Sequence, residues 1–271
     1  DVEDWFYIGA ILLSIGMLVK IAAVPFHFWA PDVYEGSPAL TTALMSTLAK
    51  VVAMAAFFKL VSAMNVNLPD SSQTALMLIS ILSMTIGNIM ALRQNNVKRM
   101  LAYSGISHAG FMLMTLLAVS TSAGILLYYA SAYALAGIAA FSVLLYVTKD
   151  KDNEDIFNFN GLGKTNPLLA AVLTGALLSM AGIPIFSGFF AKVFLFGQML
   201  NAGHVILVIV AVVNSIISVG YYFKLILAMY TKDATEAAKP VPFVYSAVAT
   251  AAILLNIAIG LYPSFLLDLL V

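Results

Sequence analysis

The sequence predicts an all-α polytopic membrane protein of about eight transmembrane helices, two of them discontinuous. Three observations predict it. Hydrophobic residues make up 62% of the 271, and the mean hydropathy is +0.99. Charged residues are only 10% and gather in short connections. Apolar runs of membrane-spanning length follow one another along the chain. A water-soluble chain of this length would need charged surface between its apolar faces. The formal net charge is zero, which gives no electrostatic footprint for nucleic acid. The absence of cysteine excludes a disulfide framework, a thiolate metal site, a Cys-held iron–sulfur cluster and a covalent haem.

The apolar segments fall at about 5–24, 39–64, 74–92, 100–118, 123–148, 167–199, 204–230 and 243–262. The opening Asp1-Val2-Glu3-Asp4 has neither an initiator Met nor the basic flank of a signal peptide, so the chain reads as part of something longer. In the first segment, apolar character runs past Pro25 through Phe26-His27-Phe28-Trp29-Ala30. At about 1.5 Å per residue, that stretch exceeds a hydrocarbon layer of about 30 Å. A break near Pro25 reconciles the lengths and puts Lys20 near the middle.

The next four segments are ordinary spans joined by short polar connections at 65–72, 93–99 and 120–122. The sixth segment, 167–199, is again too long for one straight span and carries Gly182-Ile183-Pro184 and Ser187-Gly188 in its centre. Proline removes a helical hydrogen bond and glycine loosens the backbone, so a discontinuous helix is expected there. Freed carbonyls at membrane depth are tolerated where protein or a wet cavity satisfies them, and transporters build ion paths at such breaks.

Loop cations set the orientation. Arg93, Lys98 and Arg99, then Lys149, Lys151 and Lys164, then Lys232 and Lys239 alternate with connections that carry no Lys or Arg, which places them on the cytoplasmic side and both ends of the chain on the other. Five cations remain within helices. Lys59 and Lys224, near helix ends, are expected to snorkel to the headgroups. Lys20, Lys50 and Lys192 lie deep in apolar stretches, where an ammonium is expensive and marks proton or ion movement.

His108, within Ser104-Gly105-Ile106-Ser107-His108, has the two ring nitrogens and the unperturbed midpoint of about pH 6.5 that suit a proton shuttle. Tyr103, Ser104 and Ser107 are placed to order water beside it. The plainer role for His108 is a hydrogen bond to a neighbouring helix. His27, beside Trp29, reads as interfacial packing, and His204 as solvated. Gly161-Leu-Gly-Lys-Thr165 ends like a phosphate loop but lacks the earlier glycine and the preceding strand. The alternating charges from Lys149 to Asp155 read as a solvated face or a docking surface for a neighbouring subunit.

Three runs carry a family resemblance. These are Lys20-Ile-Ala-Ala-Val-Pro-Phe-His-Phe-Trp-Ala-Pro-Asp-Val-Tyr-Glu-Gly-Ser-Pro38, Asn96-Val-Lys-Arg-Met-Leu-Ala-Tyr-Ser-Gly-Ile-Ser-His-Ala-Gly110 and Gly182-Ile-Pro-Ile-Phe-Ser-Gly-Phe-Phe-Ala-Lys192. They resemble the antiporter-like subunits of proton-pumping NADH:quinone oxidoreductase, respiratory complex I. The Pro-Asp-Val-Tyr-Glu-Gly-Ser-Pro wording and a lysine at 192 favour the subunit N branch. The family protein has fourteen helices in two inverted five-helix repeats with flanking helices, a proton-antiporter-like fold, and this chain looks like helices seven to fourteen.

The resemblance implies a single membrane domain over 1–271. Residues 1–64 would be the last two helices of the first repeat, 74–230 the second, inverted repeat, and 243–271 a C-terminal flanking helix. It further implies a proton relay through Lys20, Lys50 and Lys192, with the glutamate partner of Lys20 supplied by sequence outside this chain; His108 is our own candidate to bridge the centre of that relay. Burial disfavours the charged form of a lysine and a nearby carboxylate restores it, so a movable acid lets such a group load and release protons.

NADH oxidation and quinone reduction would occur in other subunits. No cofactor is expected in this chain, while NAD, FMN, iron–sulfur clusters and quinone are expected in those others. The expected partners are the remaining membrane-arm subunits and the lipid bilayer, in a bacterial inner membrane. Two alternatives stand beside this reading: a subunit of a multisubunit cation/proton antiporter, and a scaffold that carries no protons.

Overall fold

A computed structural model describes residues 2–64, 70–234 and 240–268. Most of the 65–72 connection, Asp1, Lys239 and Val271 lie outside them. Among the described residues the regular structure is helical, with one isolated bridge between Asn96 and Asp155.

Helix α1 (Val2–Ile21) ends where Ala22 takes φ 59°. Pro25 has no N–H to continue the ladder, and the freed groups find other partners. Trp29 Nε1 donates to Val19 O at 3.0 Å, and Val24 N donates to Ser83 Oγ at 2.9 Å. Helix α2 (Trp29–Gly36) resumes beyond the gap, so the break falls where the length argument puts it. Helices α3 (Ala39–Leu44) and α4 (Lys50–Ala63) are joined by a π turn at Met45–Ala49 into one apolar rod of 25 residues, about 37 Å long.

Helix α5 (Asp70–Leu92) packs along α6 (Val97–Leu113) through glycines. A Cβ on Gly87 would lie 2.8 Å from Ser107 N, and one on Gly110 would lie 2.8 Å from Ser80 O. Small residues of this kind let backbones approach where lipid supplies no hydrophobic drive. Asn96 caps α6 by accepting from Arg99 N at 3.0 Å.

The helical run continues through 114–118 into α7 (Val119–Val147), and straight, its 51 residues would measure about 76 Å, more than twice a bilayer core. It folds back instead at Ala118, where φ −144° and ψ 52° are not helical. Tyr129 then stacks on Phe111 while Tyr133 meets His108, so α7 climbs as α6 descends. The two spans expected at 100–118 and 123–148 are thus present and antiparallel.

Helix α8 (Leu162–Thr165) is a single turn after Gly161, whose φ of 67° brings it against Ala234; the phosphate-loop lookalike is packing at a loop. Helices α9 (Pro167–Ala181) and α10 (Ser187–Asn201) are the two halves of the discontinuous sixth segment. Helices α11 (Val205–Thr231), α12 (Phe243–Leu261) and the short α13 (Ser264–Leu267) follow. Five helical runs are long and apolar enough to cross a membrane. Counting the folded run as two spans and adding α1 and the α9–α10 pair gives eight crossings among the described residues. Large apolar side chains such as Ile206, Ile209, Val213 and Ile216 stand exposed along the helix Val205–Thr231, as a lipid-facing surface requires.

The charged connections meet at one end of the bundle. Arg99 pairs with Asp32 at 2.6 Å and Glu35 at 2.7 Å. Lys98 pairs with Glu154 at 2.8 Å and donates to Ser37 O. Two sequence expectations are corrected here. The 149–155 stretch is not merely a solvated face: Val97 N donates to Glu154 O and Ile156 N to Asn95 O, both at 2.8 Å, tying it to the 93–96 turn. Lys224 does not simply snorkel, because its Nζ donates to Gln94 O and Asn95 Oδ1 at 2.9 Å. Lys59 is exposed, as snorkelling requires.

Candidate functional site

The break between α9 and α10 frees the last carbonyls of one half-helix, and a lysine from the other half fills the need. Gly182 reaches φ 88° and Ile185 φ 89°, which turns the chain sharply. Lys192, on α10 just past the break, folds its side chain back. Its Nζ donates to Ala181 O at 2.9 Å, Met180 O at 3.2 Å and Ser215 Oγ at 2.7 Å. A cation at a helix C-terminus is favoured by the helix dipole as well as by the acceptors. The N-terminus of α10 is capped from elsewhere, with Ser187 N donating to Asn256 Oδ1 and Gly188 N to Ser179 Oγ, both at 3.3 Å. The Lys192 ammonium also lies 5.1 Å from the centre of the Phe111 ring.

His108 is buried on α6 with both ring nitrogens engaged. Nδ1 lies 2.8 Å from the Tyr129 hydroxyl and Nε2 lies 3.2 Å from the Tyr222 hydroxyl. In either neutral tautomer one nitrogen donates and the other accepts. The Tyr222 hydroxyl is further bonded to Ser104 Oγ. A cavity of about 10 Å³, the space of a single water, is lined by His108, Tyr129, Tyr133, Ser179 and Lys192.

Lys50 lies on the other side. It is 3% exposed, its Nζ has no hydrogen-bond partner, and it sits over Gly105 beside the Tyr133 hydroxyl. Tyr133 in turn bonds Ser46 Oγ at 3.2 Å, and its ring centre is 4.9 Å from that of His108.

Of the four residues expected to form a relay, the structure brings three together. Lys20 stands apart from these three. It is exposed in the last turn of α1, facing an open groove of about 740 Å³ between α1 and the α3–α4 rod. Position along the sequence placed it mid-span, but only packing decides which way a helix face points. Among the water-ordering candidates, Ser104 is in the network through Tyr222. Ser107 packs its backbone on Gly87, and Tyr103 carries Arg99 over its ring at 6.0 Å. His27 is buried against Phe28, with ring centres 4.3 Å apart, which fits its packing role. His204 sits half-buried before α11.

Sequence reasoning missed Tyr129, Tyr133, Tyr222 and Ser215. The available signal was the hydroxyl itself: Tyr129 and Tyr133 are four apart, on one face of an apolar helix. It also missed a polar clamp between α5 and α11. Tyr221 donates to Asn88 Oδ1 at 3.0 Å, Asn88 Nδ2 donates to Asn214 O at 2.9 Å, and Asn214 Nδ2 donates to Thr85 Oγ1 at 3.1 Å. Among the described residues, no group of three or more His, Asp or Glu is gathered to hold a metal ion.

Residues 3–218 match the family described as NADH:quinone oxidoreductase/Mrp antiporter, transmembrane. The chain is 71% identical over 277 residues to NADH-quinone oxidoreductase subunit N of Flavobacterium johnsoniae, covering 100% of this chain and 60% of that protein. A chain of respiratory complex I from Thermus thermophilus with bound aureothin superposes with TM-score 0.86 at 36% identity, over 96% of this chain and 58% of that one. A chain of the Mrp complex from Dietzia sp. DQ12-45-1b superposes with TM-score 0.89 at 21% identity, over 97% of this chain and 58% of that one, a likeness of fold alone. The chain therefore spans less than two thirds of the length of these relatives.

Proposed function

This chain belongs to the NADH:quinone oxidoreductase/Mrp antiporter transmembrane family, and on that premise we propose that it is part of a proton-translocating membrane-arm subunit of an NADH:quinone oxidoreductase. The observation that carries the reading is a buried row of proton-binding groups in which His108, hydrogen-bonded at both ring nitrogens, stands between Lys50 and Lys192. A redox role for the chain itself is not part of the proposal. Oxidation of NADH and reduction of quinone are assigned to other subunits.

The chemistry follows from the partners. Lys192 gives up a proton to a water in the small cavity it shares with His108 and Tyr129, and that water hands a proton to the Tyr129 hydroxyl as the hydroxyl passes its own to the ring. His108 accepts at Nδ1 and releases its other ring proton from Nε2 to Tyr222, so that no net charge accumulates on the ring. Transfer from Tyr222 to the Tyr133 hydroxyl, which lies near the Lys50 head over Gly105, is assigned to a mobile water, the Tyr133 ring lying 4.9 Å from that of His108. The same steps run in reverse. Lys20, in its groove, is assigned to the entry side, next to sequence that the relatives carry and this chain does not. The end of the bundle where Lys98, Arg99 and Lys164 gather is assigned to the cytoplasm.

The test is NADH-driven proton uptake in inverted membrane vesicles carrying the complete protein with Lys192→Met, normalised to assembled complex. A loss of on the order of tenfold or more is expected if Lys192 is a proton carrier. Unchanged uptake would overturn the relay and leave a scaffold.

A further inference from the structure

Both buried ammonium groups rest on a glycine. A Cβ on Gly105 would lie 2.8 Å from Lys50 Nζ and 3.0 Å from the Tyr133 hydroxyl oxygen. A Cβ on Gly182 would lie 2.9 Å from Lys192 Cδ and 3.2 Å from its Nζ. A methyl group at either position obliges the lysine side chain to move. Other glycines of the bundle have a different reason: Gly87 and Gly110 on the α5–α6 seam face backbone atoms of the neighbouring helix. Gly182 is also needed for its φ of 88°, whereas Gly105 is an ordinary helical residue in the middle of α6. A glycine there is a poorer helix former than alanine. What it leaves room for is the head of Lys50, which has no hydrogen-bond partner to hold it and is confined only by the surfaces around it.

We propose that Gly105 is a positioning residue of the relay: its missing side chain seats the Lys50 ammonium beside the Tyr133 hydroxyl, as Gly182 does for Lys192 beside the half-helix carbonyls. The inference rests on the relay reading given above. A methyl at 105 drives the long lysine side chain into another rotamer and takes the ammonium away from Tyr133. The helix itself gains propensity from the change.

The experiment compares Gly105→Ala, Gly137→Ala and Lys50→Met in the complete protein within the assembled complex, reading NADH-driven proton uptake against pH. Gly137 supplies the packing control, since a Cβ there would meet Thr47 Cγ2 at 2.6 Å on the neighbouring face without touching a lysine. Misplacing a reacting group by about 1 Å can cost on the order of 10²-fold, so Gly105→Ala is expected to slow uptake by at least about tenfold and to displace its pH profile. Gly137→Ala should keep the wild-type profile whatever its yield. Loss in Lys50→Met with wild-type rate and profile in Gly105→Ala overturns the seat and leaves the relay standing. Equal slowing in both glycine variants without displacement of the profile reduces Gly105 to packing and also overturns it. Uptake unchanged in Lys50→Met overturns the relay itself, and the seat with it.

Discussion

Lys192 and Lys50 are the same residue at nearly the same burial, 5% and 3% exposed, yet their surroundings differ in kind. Lys192 has three oxygen acceptors within 3.2 Å, two of them carbonyls set free where α9 stops. Lys50 has none. The difference comes from the backbone. A broken helix exposes carbonyls that have lost their intrahelical donors, and an ammonium satisfies them. In the middle of α6 and α7 the main-chain acceptors are taken by the helical ladder, so the lysine beside them meets a tyrosine hydroxyl and the bare backbone of Gly105. The two ends of one row are therefore built differently: one proton carrier is fixed by its helix, and the other is held by shape alone.

The sharpest way to break this contrast is to melt the two methionine variants of the assembled protein side by side. Lys192→Met leaves the Met180 carbonyl without a donor and should destabilise by about 1–3 kcal/mol. Lys50→Met removes a buried cation that had no partner and should leave stability unchanged or raise it. Equal melting points would show that the broken helix does not need its lysine.

Tyr222→Phe asks whether the hydroxyls between the lysines carry the transfer. It removes the group shared by Ser104 and His108 while keeping the ring, and should slow NADH-driven uptake on the order of tenfold. An unaffected rate would take Tyr222 out of the path. A smaller effect is expected from Asn88→Ala, which cuts the clamp between α5 and α11. Interhelical hydrogen bonds in membranes average about 0.6 kcal/mol, so a loss of about 0.6–1.7 kcal/mol in thermal or denaturant unfolding is anticipated. The smallest effect belongs to Lys59→Gln. This exposed lysine shares α4 with Lys50 but not its burial, and the substitution should change stability by less than about 0.5 kcal/mol with normal uptake.

The sequence by itself determined that the chain crosses a membrane about eight times, where two spans break, and that Lys50, His108 and Lys192 lie at depth. Each of these depends on quantities local to the chain: apolar run length against bilayer thickness, a proline or glycine inside a span, and an ionisable residue far from either end. Tertiary structure alone decided the rest. Position along a helix is read from the sequence, but facing is set by neighbours: Lys50 turns inward to Gly105 and Tyr133, while the side of α1 that carries Lys20 opens to a groove. Lys224 and Glu154 looked solvated until folding carried the 93–96 turn to them. Tyr129, Tyr133 and Tyr222 were indistinguishable from other aromatic residues until α6, α7 and α11 met around His108. Hydrogen bonds between distant segments have no periodicity to betray them, because they form between faces that only packing brings together.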